Sequence, residues 1–203
     1  LINKDEAYLY FWRLSNTMPF NINEFKSSLT NGGARANLFE IIVTNPINST
    51  GDQKLRMTAQ ATQVPQRDIN QIQVPYFGRS IKVAGVTQNY PDWSVTIIND
   101  EDWLVRNALE EWSHAINSPI GNIRRTTSSD QSLYKSTGDV IQYSQTGQVL
   151  RQYKFYGIWP VSVAAAGLDW GQDDIIRYDV TFSVDYWTLG DLSATGFAGN
   201  LDA

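Results

Sequence analysis

The chain has 203 residues, a formal charge of −5 and a 42% hydrophobic content, enough to bury a core of its own. That acidic balance excludes holding nucleic acid by phosphate neutralisation, which needs clustered Lys and Arg, but leaves contact without attraction open. The absence of cysteine excludes disulfides, thiolate metal sites and cysteine nucleophiles.

No apolar run reaches the 18 or more residues of a membrane span, and no signal pattern follows Leu1, so the expectation is a soluble, unprocessed chain. Seven Trp, ten Tyr and eight Phe lean towards strands and contact surfaces.

Residues 1–33 read as an N-terminal arm: an aromatic cluster (Tyr8, Tyr10, Phe11, Trp12), then Pro19 and a polar run ending at Asn31, Gly32 and Gly33. Asn37–Thr44 predicts a strand, and Gln53–Ala61 a second one paired with it across a turn through Pro46 and Gly51. Thr62–Gly78 contains Pro65 and Pro75 and reads as an extended loop, because proline cannot donate to a ladder. Arg79–Ala84 and Trp93–Asn99 resume strand character.

One helix is expected. Asn99 is a good N-cap, Asp100, Glu101 and Asp102 suit the positive end of a helix dipole, and Val105, Ala108, Leu109, Trp112, Ala115 and Ile116 recur at helical spacing. Pro119 and Gly121 stop it. Gly121–Gly138 is polar and reads as a loop, followed by strands at Asp139–Ser144 and Val149–Trp159, the latter ended by Pro160. Ile175–Trp187 then alternates almost without error, placing Ile176, Tyr178, Val180, Phe182, Val184 and Tyr186 on one side and Arg177, Asp179, Thr181, Ser183 and Asp185 on the other. As one strand it would span roughly 43 Å, longer than a single core requires, which points to an assembly. Thr188–Ala203 reads as a Gly-, Ala- and Ser-rich tail. The element order indicates a mainly β fold, an antiparallel β-barrel or sandwich closed by one flanking α-helix.

No chemistry-bearing constellation emerges. His114 is the single histidine and falls on the polar side of the helix beside Arg106, Glu110 and Glu111. Asp169, Asp173 and Asp174 lack EF-hand spacing and read as a turn around Gly171. There is no phosphate-cradling loop or nucleophile elbow, so no catalytic, cofactor or metal residue is assigned. A sugar-stacking platform through Trp93, Trp159 or Trp170 is the rival from another class; the aromatics of the last strand share their face with Val180 and Val184, which favours core.

Several ordered motifs carry a resemblance. Asn37-Leu38-Phe39 opens the first strand and Val83-Ala84-Gly85 closes the third. The run from Asp92 through Trp93, Val95, Ile97 and Asn99 to Asp100 follows, then Gly157-Ile158-Trp159-Pro160, Leu168-Asp169-Trp170 and Asp185-Tyr186-Trp187. Over roughly Asn37 to Trp187 the chain resembles the major tail tube proteins of T4-like contractile-tailed bacteriophages. That resemblance implies a barrel domain (34–187) between arm and tail, six copies per ring, and rings stacked into a tube. It also implies a sheath outside, tape-measure protein and genomic DNA transiently in the lumen, and baseplate and tail-terminator proteins at the ends.

The implied place is the virion, after assembly in the host cytoplasm. The Thr62–Gly78 segment matches a ring-stacking loop, with Val64, Pro65, Pro75, Tyr76, Phe77 and Gly78 as its candidate residues. The polar row Arg177, Asp179, Thr181, Ser183 and Asp185 becomes the candidate lumen wall, a solvent-facing strand being the alternative. Six such chains would carry a formal charge of about −30, suiting a wall that repels phosphates. The tube of a headless contractile injection device is the variant reading within this class.

Overall fold

The computed structural model describes residues 22–121 and 130–190. Leu1–Ala36 and Asn37–Ala203 form separate units. In the first, helix α1 (Ile22–Ser28) carries Ile22 and Phe25 on one exposed side. The aromatic cluster expected in the arm lies outside the described residues.

In the second unit the elements run β1 (Phe39–Val43), α2 (Asp52–Thr58), β2 (Ala59–Thr62), β3 (Asp68–Tyr76), β4 (Arg79–Asn89), β5 (Trp93–Ile98), α3 (Leu104–Ile116), β6 (Ser136–Tyr143), β7 (Val149–Val163), β8 (Arg177–Ser183) and β9 (Tyr186–Leu189). Seven strands form one antiparallel sheet in the order β1-β6-β7-β8-β5-β2, with β9 also paired to β7, while β3 and β4 make a separate two-stranded sheet.

The longest strand is β7, not the final segment. Its first half pairs with β6 and β9, and its second half with β8. It continues through Pro160, which is buried opposite Phe182 beside a bulge; a bulge is one of the few places a strand tolerates proline. The segment expected as one strand from Ile175 to Trp187 breaks after β8, and the chain re-enters as β9 on the other half of β7. The alternation is kept through Tyr178, Val180, Phe182 and Val184, all buried. The break reverses the phase, so Tyr186 faces outward, stacked on Tyr156 at 4.8 Å, and Trp187 packs inward against Tyr153.

The core forms where α3 covers the sheet. Val105, Ala108, Leu109, Trp112 and Ala115 are buried at the spacing of one helical face. Trp112 approaches Phe182, and Trp93 stacks on Phe155 with centroids 4.5 Å apart. Both indoles stay satisfied, Trp93 Nε1 donating to Thr62 Oγ1 and Trp112 Nε1 to the Tyr134 carbonyl. Trp93 is therefore no sugar platform.

Two helix expectations need correction. Gln53–Thr58 belongs to α2 instead of a strand: Asp52 opens it, Leu55 is its buried anchor, and the pairing of β1 is taken by β6. The preceding turn is tied down by Asn45, whose Nδ2 donates to the Ala108 carbonyl while its Oδ1 accepts from the backbone of Ile47 and Asn48. Asn99 is not the N-cap of α3. Trp103 precedes the helix with φ 53°, Asp102 Oδ1 accepts the Leu104 N–H, and Asp100 and Asp102 both grip Lys54 of α2. The ion pair pulls both carboxyls below their ordinary range. Asp100 and Asp102 thus join two helices, and Asp102 also caps the start of one.

Candidate assembly surfaces

The β3–β4 hairpin occupies the segment expected as a loop. Its two-residue turn has Phe77 at φ 43° and Gly78 at φ 79°, the positive-φ pair of a type I′ turn. Tyr76 and Arg79 flank that turn as partners, so the next pair, Pro75 with Ser80, falls at a position without ladder bonds, where a missing N–H costs nothing. The proline therefore does not break the strand. Near the base, Gly85 opposes Asn70 in a bulge so tight that a Cβ would lie 2.7 Å from the Asn70 carbonyl oxygen.

One face of this hairpin is apolar. Ile72 pairs with Val83 and Val74 with Ile81, with Tyr76 and Phe77 at the tip. None is covered: Ile72, Val74, Ile81 and Val83 are each about half exposed and Phe77 is 91% exposed. Two isolated strands in water are marginal without packing against something else, and an exposed apolar patch of this kind marks a contact surface.

A second surface is the outer face of β5, β8 and the end of β7. Register places Ser94 and Ser162 beside Thr181, Thr96 beside Asp179, Ile98 beside Arg177 and Trp159 beside Ser183. Thr96 Oγ1 donates to Asp179 Oδ1 at 2.6 Å. Arg177 is paired with Asp174 at 3.1 Å. Asp185 stands apart from this row at the break between β8 and β9, where Lys135 Nζ donates to both its oxygens and its N–H bonds the Tyr156 carbonyl. The face is hydroxyl-rich, with Arg177 paired to Asp174 and Asp179 held by the Thr96 hydroxyl.

A third surface is the long β7–β8 connection, residues 164–176. Leu168 is 77% exposed, Trp170 fully so, and Ile175 60%. Asp169 Oδ1 accepts the Gly171 N–H, in keeping with the turn expected around Gly171, and Asp174 Oδ1 accepts the Ile175 N–H.

Among the residues singled out from sequence, the fold gathers Pro75, Tyr76, Phe77 and Gly78 at the hairpin tip but leaves Val64 and Pro65 beyond its base, some eight strand residues or roughly 27 Å away. Arg177, Asp179, Thr181 and Ser183 share one row; Asp185 does not. Sequence reasoning missed the β4 half of the hairpin face and the β5 residues Ser94 and Thr96. The alternation of Ile81 and Val83 with Ser80 and Lys82 was the available signal.

A family model described as phage tail tube protein matches residues 18–189. Tail tube protein gp19 of Enterobacteria phage T4 is 31% identical over 156 residues, covering 76% of this chain and 90% of that protein; the phage T6 protein of the same name matches equally. Among solved structures, the tube-terminating cap of the anti-feeding prophage superposes with a TM-score of 0.58 at 14% identity, over 86% of this chain and 97% of that one. The sheath/tube terminator of the extracellular contractile injection system PVC gives 0.55 at 13%, over 76% and 94%. At those identities the two structures share the fold alone. The match along most of the length, with the identity to the phage proteins, places the chain in the phage tail tube protein family, as a non-enzymatic structural subunit of the virion's tail.

Proposed function

We propose that copies of this chain close into six-membered rings that stack as a hollow inner tube within a contractile sheath, through which the genome leaves the virion. The observation that carries this reading is the β3–β4 hairpin, whose apolar face has no cover within its own unit and needs a neighbouring copy to bury it. In the tube, the sheet closes into a barrel against its neighbours, the hairpin tip around Tyr76, Phe77 and Gly78 holds adjacent rings, and the β5–β8 face lines the lumen. The sheath contacts the outside and a terminator the end, in line with the sheath/tube terminator whose fold this chain shares.

On this reading Thr96, Asp179, Thr181 and Ser183 present hydroxyls and one hydrogen-bonded carboxylate to passing DNA. Arg177 and Asp185 are each neutralised by a partner from their own chain, so the wall itself offers phosphates no cationic grip, while net negative charge repels them over about 10 Å in 0.1 M salt. Negative-stain microscopy of the purified protein tests the assembly: hollow tubes or rings with sixfold averages are expected, and dispersed monomers at high concentration overturn it. Asp179→Lys, on an exposed position, tests the lumen: intact tubes with slowed genome ejection are expected, and an unchanged ejection rate removes the β8 row from the channel.

A further inference from the structure

The apolar hairpin needs a seat, and the chain carries a second uncovered surface that complements it. Residues 71–84 carry Arg79 on the apolar face, Lys82 on the opposite one and no acid; residues 164–176 contain Asp169, Asp173 and Asp174 and no base, Asp174 being paired with Arg177 of its own chain. Each also displays exposed apolar groups: Ile72, Val74, Tyr76, Phe77, Ile81 and Val83 on the hairpin, and Leu168, Trp170 and Ile175 on the β7–β8 connection. Opposite charges around apolar centres set register and suppress wrong partners, and exposed Trp and Tyr are the side chains that anchor such contacts.

Their placement fits a contact between copies. Strand β5 begins at Trp93, paired with Phe182, and ends at Ile98, paired with Arg177. The hairpin is rooted at the Trp93 end, since β2 runs towards it through Thr62 opposite Val95 and β4 leads into Trp93. The β7–β8 connection leaves and returns at the other end, where Ala164 N bonds the Asp179 carbonyl and Asn99 N the Ile176 carbonyl. The two surfaces thus sit at opposite ends of one strand pair, roughly 17 Å apart along it. Unlike surfaces at opposite ends give head-to-tail association, which closes a ring or propagates along an axis instead of stopping at a dimer.

We propose that the 164–176 connection is the seat on which the β3–β4 hairpin of the next copy docks, Arg79, which shares the hairpin's apolar face, meeting Asp173 around a centre made by Trp170, Leu168 and that face. This rests on the reading of the chain as a self-assembling tube subunit and identifies the receiving surface.

Two charge-reversed chains test it: Arg79→Glu, which makes the hairpin's apolar face acidic, and Asp173→Lys, which puts a base on the seat. Both sites are exposed, so each keeps the wild-type melting profile; Asp173→Arg replaces the second if it does not fold. Each alone assembles at least about tenfold more weakly than wild type by sedimentation. Mixed, they restore assembly, because each hairpin then meets a seat of opposite charge. Assembly of each variant at wild-type strength, or a mixture no better than its parts, overturns the docking while wild-type tubes keep the assembly reading. A wild-type chain that stays monomeric overturns both.

Discussion

Gly157 lies against Asp185 so closely that a Cβ on the glycine would overlap the carboxylate. The contact is where β7 passes from one half of the sheet to the other and where β8 gives way to β9. Gly157 has φ 67°, and Asp185 is held from the far side by Lys135. Gly157→Ala therefore adds left-handed strain of about 1–2 kcal/mol to a steric conflict, and a loss of at least about 2 kcal/mol in urea unfolding is expected. Gly157→Ala/Asp185→Ala should recover part of it, since the carboxylate overlap goes while the Cβ at 185 stays close; additive losses would show that the carboxylate plays no part. Lys135→Met, which breaks a partly exposed ion pair, should cost less than about 1 kcal/mol.

Phe182 is fully buried between Trp93 and Trp112. Phe182→Asp places an unpaired charge there, at a cost of several kcal/mol or more, so no folded protein is expected by circular dichroism. A chain that still folds and assembles would mean that the faces of β8 are reversed.

That face was legible in sequence because Tyr178, Val180 and Phe182 alternate with polar residues, a signal local to the strand. Helix α3 was legible for the same reason at its own period. What was hidden depended on partners distant in the chain. The break at Asp185 is set by Gly157 and Lys135, and α2 by Asn45 reaching the Ala108 carbonyl. Strand β3 was obscured by Pro75, whose tolerance follows from its pairing position beside a turn, which composition does not reveal. The outer row of β8 was readable as polar, but the pairing of Arg177 with Asp174 and the departure of Asp185 from the row needed the fold.

Tyr178 is buried with no hydrogen-bond partner for its hydroxyl, and the Arg106 guanidinium lies 5.1 Å from its ring centroid. Burial pushes the hydroxyl up to about 12. Removing an unsatisfied polar group while keeping the ring is neutral or favourable, so Tyr178→Phe should match or exceed wild-type stability by up to about 1 kcal/mol and delete a tyrosine that ionises well above the ordinary range in an ultraviolet titration. A clear destabilisation would reveal a bond to that hydroxyl.

Glu40 joins β1 to α2 and β6, accepting from Arg56 Nε and from Tyr143 Oη, the latter at 2.6 Å. The Arg56 hydrogen bond, then that of Tyr143, holds its carboxyl below the ordinary range despite some desolvation. A depressed folded-state value stabilises the protein above the unfolded pKa of about 4.3, and the contribution disappears as pH falls through the folded value. The gap in melting temperature between wild type and Glu40→Gln should therefore be constant above about pH 5 and close below pH 4. A gap independent of pH would remove Glu40 from the acid response.

Phe77 is the wrong residue for its turn if folding alone matters. It holds φ 43° immediately before Gly78, a position where asparagine is preferred and a bulky side chain is strained. Phe77 is also 91% exposed and its ring meets Tyr76 edge-on at 4.7 Å, so it repays little of that strain within its own chain. Phe77→Asn creates the favoured Asn-Gly turn and should keep or raise the melting temperature of the isolated subunit. If the ring is instead retained to fill a neighbour, the same substitution must weaken assembly, by about tenfold or more for the loss of a buried aromatic anchor. Sedimentation and thermal melting on one protein sample separate the two effects. Stability up with assembly down is the expected pair, and assembly at wild-type strength would show that the hairpin tip lies outside the contact between copies.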